Sequence, residues 1–239
     1  MCWIRYGRSL RQNEMKKDKN IILDNFIWRF AERCGAQLVT AVVTLLLARI
    51  LMPEDYGRTA LVAVFINILQ VFIDSGLGTA LIQKKDADDL DFSSVFYFNF
   101  AVCLVLYAGM FIAAPYIAAF YKDLTLTPVV RVASLTLVFS GVKGIQQAYV
   151  SRNMLFKRFF FATLGGTLFS AFLGLGMAYA GFGVWALVAQ QLSNTAIDTL
   201  ILWLTVHWRP KAVFSWQRLK GLLSYGWRLL ASSLLDTVY

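Results

Sequence analysis

Arg29, Arg33, Gln37, Thr40 and Thr44 follow one another at intervals of four, four, three and four residues. That spacing puts them on one face of an α-helix. Two guanidinium groups followed by an amide and two hydroxyls suit an oxyanion such as a diphosphate, because Arg and Lys pair strongly with phosphate oxygens. A second row at helical spacing, Thr136, Ser140, Lys143 and Gln147, offers another cation near the depth of Arg33. Carboxylates accompany both rows: Glu32 on the flank of the first, Asp74 after Asn67 and Gln70, and Asp198 after Gln190 or Gln191 and Asn194. A carboxylate inside an apolar helix either carries a coupling proton or cation or neutralises a neighbouring Arg, and Asp74 is equally suited to capping the turn before Gly76. Arg29, Arg33, Lys143 and Gln37 are therefore candidate substrate-binding residues. Glu32, Asp74 and Asp198 are candidates for coupling or ion pairing.

Signals for bond-making chemistry are weak by comparison. Asp86-Ala87-Asp88 has the look of the metal-binding acidic pair of a sugar-nucleotide transferase, but no nucleotide-binding domain surrounds it and it reads better as a solvated acidic loop. His207 is the single histidine and falls at the edge of an apolar block. No metal-ligand set, nucleophile beside a base or glycine-rich phosphate loop can be drawn. Cys2, Cys34 and Cys103 are too scattered for a disulfide framework. The expectation is a protein without cofactor or metal that is not an enzyme.

The two polar rows need helices to carry them, and composition says in what solvent those helices sit. Apolar residues make up 58% of the 239-residue chain and charged residues 15%, where an ordinary soluble domain has about 25% charged; mean hydropathy is +0.58. The apolar residues come in blocks near the ~20 that a helix needs to cross ~30 Å of hydrocarbon. These blocks predict helices over 26–50, 56–75, 94–116, 128–149, 159–180 and 184–206, and the start of a seventh over 222–239. The fold expected is all-α, a polytopic transmembrane helix bundle: a basic tail (1–20), a six-helix lobe (21–207), a basic linker (208–221) and the opening of helix 7. Pro53, Gly57, Gly76, Gly78, Pro115, Pro128 and Gly181-Phe182-Gly183 punctuate the connections.

A net charge of +9 would point to nucleic acid in a soluble protein. Here the basic residues lie between apolar blocks, where they report topology, and no nucleic-acid partner is expected. One set of loops holds Arg5, Arg8, Arg11, Lys16, Lys17, Lys19, Lys84, Lys85, Arg152, Lys157, Arg158, Arg209, Lys211, Arg218 and Lys220. The other holds Arg49, Arg58 and Lys122, diluted by Glu54, Asp55 and Asp123. The basic set is expected on the cytoplasmic side, and the N-terminus with it. The first apolar stretch is too long and too charged for a signal peptide, and translation starts at either Met1 or Met15. In this topology Arg29 and Arg33 either snorkel to the headgroups or face a cavity; the row's continuation through Gln37, Thr40 and Thr44, too deep to snorkel, favours the cavity. Ala162, Gly166, Ser170 and Gly174 form a small-residue stripe for close helix packing, and most tryptophans fall near the expected interfaces.

Trp28-Arg29 at the start of helix 1 recurs as Trp227-Arg228 at the start of helix 7, an echo of the kind left by parallel transporter repeats. Leu47-Ala48-Arg49-Ile50-Leu51-Met52-Pro53-Glu54-Asp55-Tyr56-Gly57, followed by Asp74-Ser75-Gly76-Leu77-Gly78-Thr79-Ala80-Leu81-Ile82-Gln83, resembles the polysaccharide-exporting branch of the multidrug/oligosaccharidyl-lipid/polysaccharide exporter superfamily. The likeness is greatest to bacterial Wzx-type flippases. The segment from Arg152 to Lys157 with Phe156, and Gly181-Phe182-Gly183-Val184-Trp185-Ala186-Leu187-Val188, extend it over residues 24–239. The resemblance implies two six-helix lobes around a central cationic cavity in the bacterial inner membrane, of which this chain holds the first lobe and the opening of the second. It implies translocation of undecaprenyl-diphosphate-linked oligosaccharide, with a polysaccharide polymerase and glycosyltransferases as partners. A drug or peptidoglycan-precursor exporter of the same superfamily is one alternative. A non-transporting membrane scaffold or sugar transferase subunit is the other.

Overall fold

The computed structural model describes residues 27–31, 33–74, 77–84, 87–154 and 156–238, and over them the chain forms helices and no strands. α1 spans Ile27–Ile50 and α2 Pro53–Asp74. Pro53 opens α2, where its missing N–H leaves no bond unmade, and Glu54 and Asp55 occupy the first turn, where carboxylates suit the helix dipole. The short α3 (Leu77–Gln83) carries the same crossing onward.

α4 (Asp89–Tyr121) has 33 residues and overshoots the predicted 94–116 at both ends. Its early start is a capping box: the Asp91 amide donates to Asp88 Oδ1 at 3.0 Å and the Asp88 amide donates to Asp91 Oδ2 at 3.2 Å. At the other end Pro115 lies inside the helix without stopping it, as membrane helices tolerate when neighbours take up the freed backbone groups. The chain leaves α4 at Lys122, in the left-handed conformation with φ 56°.

α5 (Leu126–Ala133) and α6 (Leu135–Arg152) make the next crossing together. Pro128 falls in the first turn of α5, where no N–H is needed. The break between them has a local cause: the Ser134 hydroxyl donates to Val130 O at 2.5 Å and the Thr136 hydroxyl to Ala133 O at 2.7 Å, back-bonding that bends helices. α7 (Phe156–Tyr179) turns into α8 (Val184–Thr205) through Gly181 and Gly183, at φ 80° and 55°. Those angles suit glycine. The last described helix is α9 (Trp216–Val238).

Among the described residues five stretches are long and apolar enough to cross a membrane: α1, α2 with α3, α4, α5 with α6, and most of α7. α8 has the predicted length but not the apolarity, because Gln190, Gln191, Ser193, Asn194, Thr195 and Asp198 lie along it. It packs along α7 and also touches α6, α2 and α5, so protein lies where lipid would otherwise be.

Water exclusion does not hold helices together inside lipid, since the tails are as apolar as Leu; close packing and polar contacts take over. The small-residue stripe of α7 does this against α8. A Cβ on Gly174 would lie 2.9 Å from Gln190 Cβ, and one on Gly166 would lie 3.0 Å from the Asn194 carbonyl oxygen. Ala162 and Ser170 of the same stripe are buried. At the α4–α6 crossing the backbone of Gly141 lies directly against the Cys103 side chain. Three apolar clusters fill the bundle: one around Leu81, Phe92, Ile145 and Leu202 where α3, α4, α6 and α8 meet, one around Val62, Met110, Val130 and Val188 at the opposite end, and one joining Val43 and Leu47 of α1 to Ala171 and Ala186.

Candidate functional site

A polar cavity of about 250 Å³ opens where α1, α2, α7 and α8 meet. α1 lends it Thr40 and Thr44, α2 Thr59, α7 Thr167 and Ser170, and α8 Gln190, Gln191 and Asn194; Val43, Ala171 and Leu187 complete the wall. No lining side chain bears a charge. Four of the hydroxyls donate back to their own helices, Thr40 to Ala36 O at 2.8 Å, Thr59 to Asp55 O at 2.8 Å, Thr167 to Thr163 O at 2.7 Å and Ser170 to Thr167 O at 3.0 Å. Their oxygens keep lone pairs free as acceptors.

The first polar row thus divides along α1. Thr40 and Thr44 reach the cavity, while Arg33 and Gln37 are exposed nearer the helix start. Arg29 is half-buried, its guanidinium carbon 4.8 Å from the centre of the Phe159 ring on α7, and Lys157 stands 5.5 Å from the Trp28 ring. These cation–π contacts tie the start of α1 to the start of α7. Glu32 lies outside the described residues, and Asp74 is the last residue of α2.

Lys143 of the second row forms an ion pair with Asp198 Oδ2 across the α6–α8 interface, with side chains 21% and 7% exposed. The other Asp198 oxygen is buried without a hydrogen-bond partner among the described residues. Asp198 lies one turn from Asn194, and a Cβ on Gly166 would touch both residues, so the charged pair sits beside the uncharged cavity. Gln147 faces elsewhere, into a second cavity of about 280 Å³ shared with Asn99 and Ser151. It is the one member of its row that lines this cavity, and the two rows do not share one.

Sequence reasoning missed the ion networks at the two ends of the bundle. At one end Arg58 Nε meets Asp123 Oδ2 at 2.7 Å, Thr125 donates to Asp123 through its amide and hydroxyl, and the Gly183 turn lies against the Asp55 carboxylate. Those bonds from Thr125, then the Arg58 guanidinium, hold the Asp123 carboxyl below its ordinary range. At the other end Lys84 meets the fully buried Asp91 at 2.6 Å, Lys211 meets Asp89 at 2.6 Å and Arg218 meets Asp88 at 2.7 Å. Arg152 donates to the carbonyls of Leu81 at 2.7 Å and Lys84 at 2.6 Å, capping α3. The acidic loop is thus partly structural: Asp88 caps α4 and pairs with α9, while Asp86 lies outside the described residues. The signal available was Asp88 followed three residues later by Asp91 ahead of an apolar run.

The Asp91 amide, then the Arg218 guanidinium, hold the Asp88 carboxyl below its ordinary range. Its stabilising effect is therefore present above the unfolded carboxylate pKa of about 4 and disappears as pH falls through the lower folded value. The protection factors of the second-turn amides of α9 should fall only on acidification below about pH 4. With Asp88→Asn those amides should exchange a few-fold faster at neutral pH, since both partners are partly exposed, and the acid step should shrink. An acid step of undiminished size in the variant would contradict this role.

Long apolar helices, charges gathered mainly at the bundle ends and polar cavities between the helices define a multi-pass membrane protein. The chain belongs to the polysaccharide biosynthesis protein family, whose model matches residues 46–239. It is 24% identical over 214 residues to the succinoglycan biosynthesis transport protein ExoT of Rhizobium meliloti, covering 90% of this chain and 43% of that protein. It is 29% identical over 174 residues to the teichuronic acid biosynthesis protein TuaB of Bacillus subtilis, covering 70% and 35%. With the lipopolysaccharide biosynthesis protein WzxC of Escherichia coli it shares 24% identity over 197 residues, covering 80% and 39%. The chain spans less than half the length of these relatives. No solved structure matches it.

Proposed function

We propose that this chain is the first lobe of a flippase that carries undecaprenyl-diphosphate-linked oligosaccharide from the cytoplasmic to the outer leaflet of the bacterial inner membrane, with its N-terminus in the cytoplasm. The observation that carries this reading is the likeness, over 90% of the chain, to a protein named for transport in succinoglycan biosynthesis. In this reading the lipid tail stays in the bilayer while Arg29, Arg33, Gln37 and Lys143 meet the diphosphate, and no covalent bond changes. Exposed Arg33 is open to phosphate, whereas Lys143 must exchange Asp198 for it. Such an exchange gives the substrate a different interaction energy in two conformations, which any ligand-driven switch requires. Asp198, once released, is placed to take a coupling proton or cation, with Glu32 and Asp74 as further candidates. Glycosyltransferases that build the substrate and a polymerase that consumes it are the partners this role requires.

Flux of lipid-linked oligosaccharide into proteoliposomes holding the two-lobe protein tests the reading. Arg29→Ala and Arg33→Ala should each lower flux about tenfold or more, the scale of a lost charge-assisted hydrogen bond. Lys143→Ala is measured beside the double variant Lys143→Ala/Asp198→Ala, which separates lost folding from lost binding. Absence of flux with the folded wild-type protein overturns the function; undiminished flux in every variant overturns the electrostatic account.

A further inference from the structure

We infer that the uncharged cavity between α1, α2, α7 and α8 is a carbohydrate subsite that takes one sugar ring of the substrate, apart from the cations that meet the diphosphate. This inference rests on the flippase reading and adds to it the place where the sugar is held. Its first support is the kind of hydrogen-bonding capacity that the cavity leaves unused. The side-chain amides of Gln190, Gln191 and Asn194 have no protein hydrogen-bond partner among the described residues. Each amide offers two N–H donors and a carbonyl acceptor. The hydroxyls opposite, having given their hydrogens to Ala36, Thr163 and other carbonyls of their own helices, present acceptors.

A sugar hydroxyl both donates and accepts, so neighbouring hydroxyls on one ring match amides that do the same. A phosphate suits this wall less well, because no lining cation meets its charge and the hydroxyl oxygens turn lone pairs towards it. An apolar group suits it no better, since it would strand the amides unpaired. Size points the same way. About 250 Å³ falls below the ~300–1,000 Å³ of sites for drug-sized ligands, which fits one ring and not a chain of them.

The second support is that two of the three amide-bearing side chains, Gln190 and Asn194, pack closely against α7. Gly174 lets α7 approach Gln190, a Cβ there being 2.9 Å from Gln190 Cβ, and Gly166 brings α7 to Asn194, a Cβ there being 3.1 Å from Asn194 Oδ1. The small-residue stripe thus sets the position of the groups that would read the sugar, and groups fixed before binding lose less freedom when a ligand arrives.

The test uses the two-lobe protein in nanodiscs and two probes, the undecaprenyl-diphosphate-linked repeat unit isolated from the host and undecaprenyl diphosphate bearing no sugar. Gln190→Met and Asn194→Leu keep side-chain volume and remove the amide. Each should weaken binding of the sugar-bearing probe about tenfold, the scale of one lost hydrogen bond, with binding of the bare lipid diphosphate unchanged. The unchanged arm also reports that the variants are folded. Equal losses for both probes, or no loss for either, overturn the subsite while the flippase reading stands. Failure of the folded wild-type protein to bind either probe overturns both.

Discussion

Replacing Lys143 with methionine should lower the stability of the folded protein by about 3 kcal/mol, and adding Asp198→Leu to the same chain should restore most of it. Removing one partner of a buried ion pair leaves the other charge without compensation, at about 3–5 kcal/mol; replacing both by apolar residues is often neutral. The lower figure applies because Lys143 keeps 21% of its side-chain surface exposed, while Asp198 keeps 7%. Asp198 has the more to lose, since one of its oxygens already lacks a hydrogen-bond partner among the described residues. Thermal unfolding in a mild detergent, run as a double-mutant cycle, measures the coupling. Losses that simply add in the double variant would mean that the two charges are not energetically paired.

The second large effect is expected at Gly141. An added Cβ would run into Cys103 Sγ and lie 3.2 Å from Cys103 Cβ, inside van der Waals contact. Alanine is the better helix former by about 1 kcal/mol, so the two effects oppose each other. Overpacking should win, because Cys103 is fully buried and the crossing must part to admit the methyl group. That separation would also strain the bond from Asn99 Nδ2 to the Gly141 carbonyl, 3.3 Å long. Gly141→Ala should therefore destabilise by about 1–3 kcal/mol, and Cys103→Ala in the same chain should recover most of the loss by removing the sulfur. A single variant as stable as the wild type would show that the two helices do not meet this closely.

What could be read from the chain alone was what repeats along it. The apolar blocks had the length of membrane crossings, and the helices follow them to within a few residues for α1, α7 and α8. The row from Gln37 through Thr40 to Thr44 stood out for the same reason: helical spacing is local. α4 runs longer than its apolar block because two local signals point the other way. Asp88 reads as part of a solvated loop but begins a helix, and Pro115 reads as an end but is an interior residue. Ser134 breaks the next crossing by a back-bonded hydroxyl, which composition does not distinguish from any other serine.

The candidate site was less legible because its parts come from distant segments. Lys143 and Asp198 are 55 residues apart and Asp88 and Arg218 are 130 apart, and nothing in one sequence pairs them. Ser170 reads in the sequence as a small residue of a packing stripe, yet it also lines the polar cavity with Thr167 and Thr59. The Arg152 segment, which carries part of the family likeness, proves to cap α3. Gly183, from another such segment, rests against Asp55. Part of the family motif is thus bundle architecture, and the residues that meet the diphosphate in the proposed function lie elsewhere, on α1 and α6.

The measurement that tests the central claim most directly is the leaflet distribution of lipid-linked repeat units in a strain lacking this gene, compared with the same strain carrying it. A flippase predicts that the units form normally and accumulate in the cytoplasmic leaflet until the gene is restored. Units that fail to form, or that reach the outer leaflet as readily without the gene, would contradict the account.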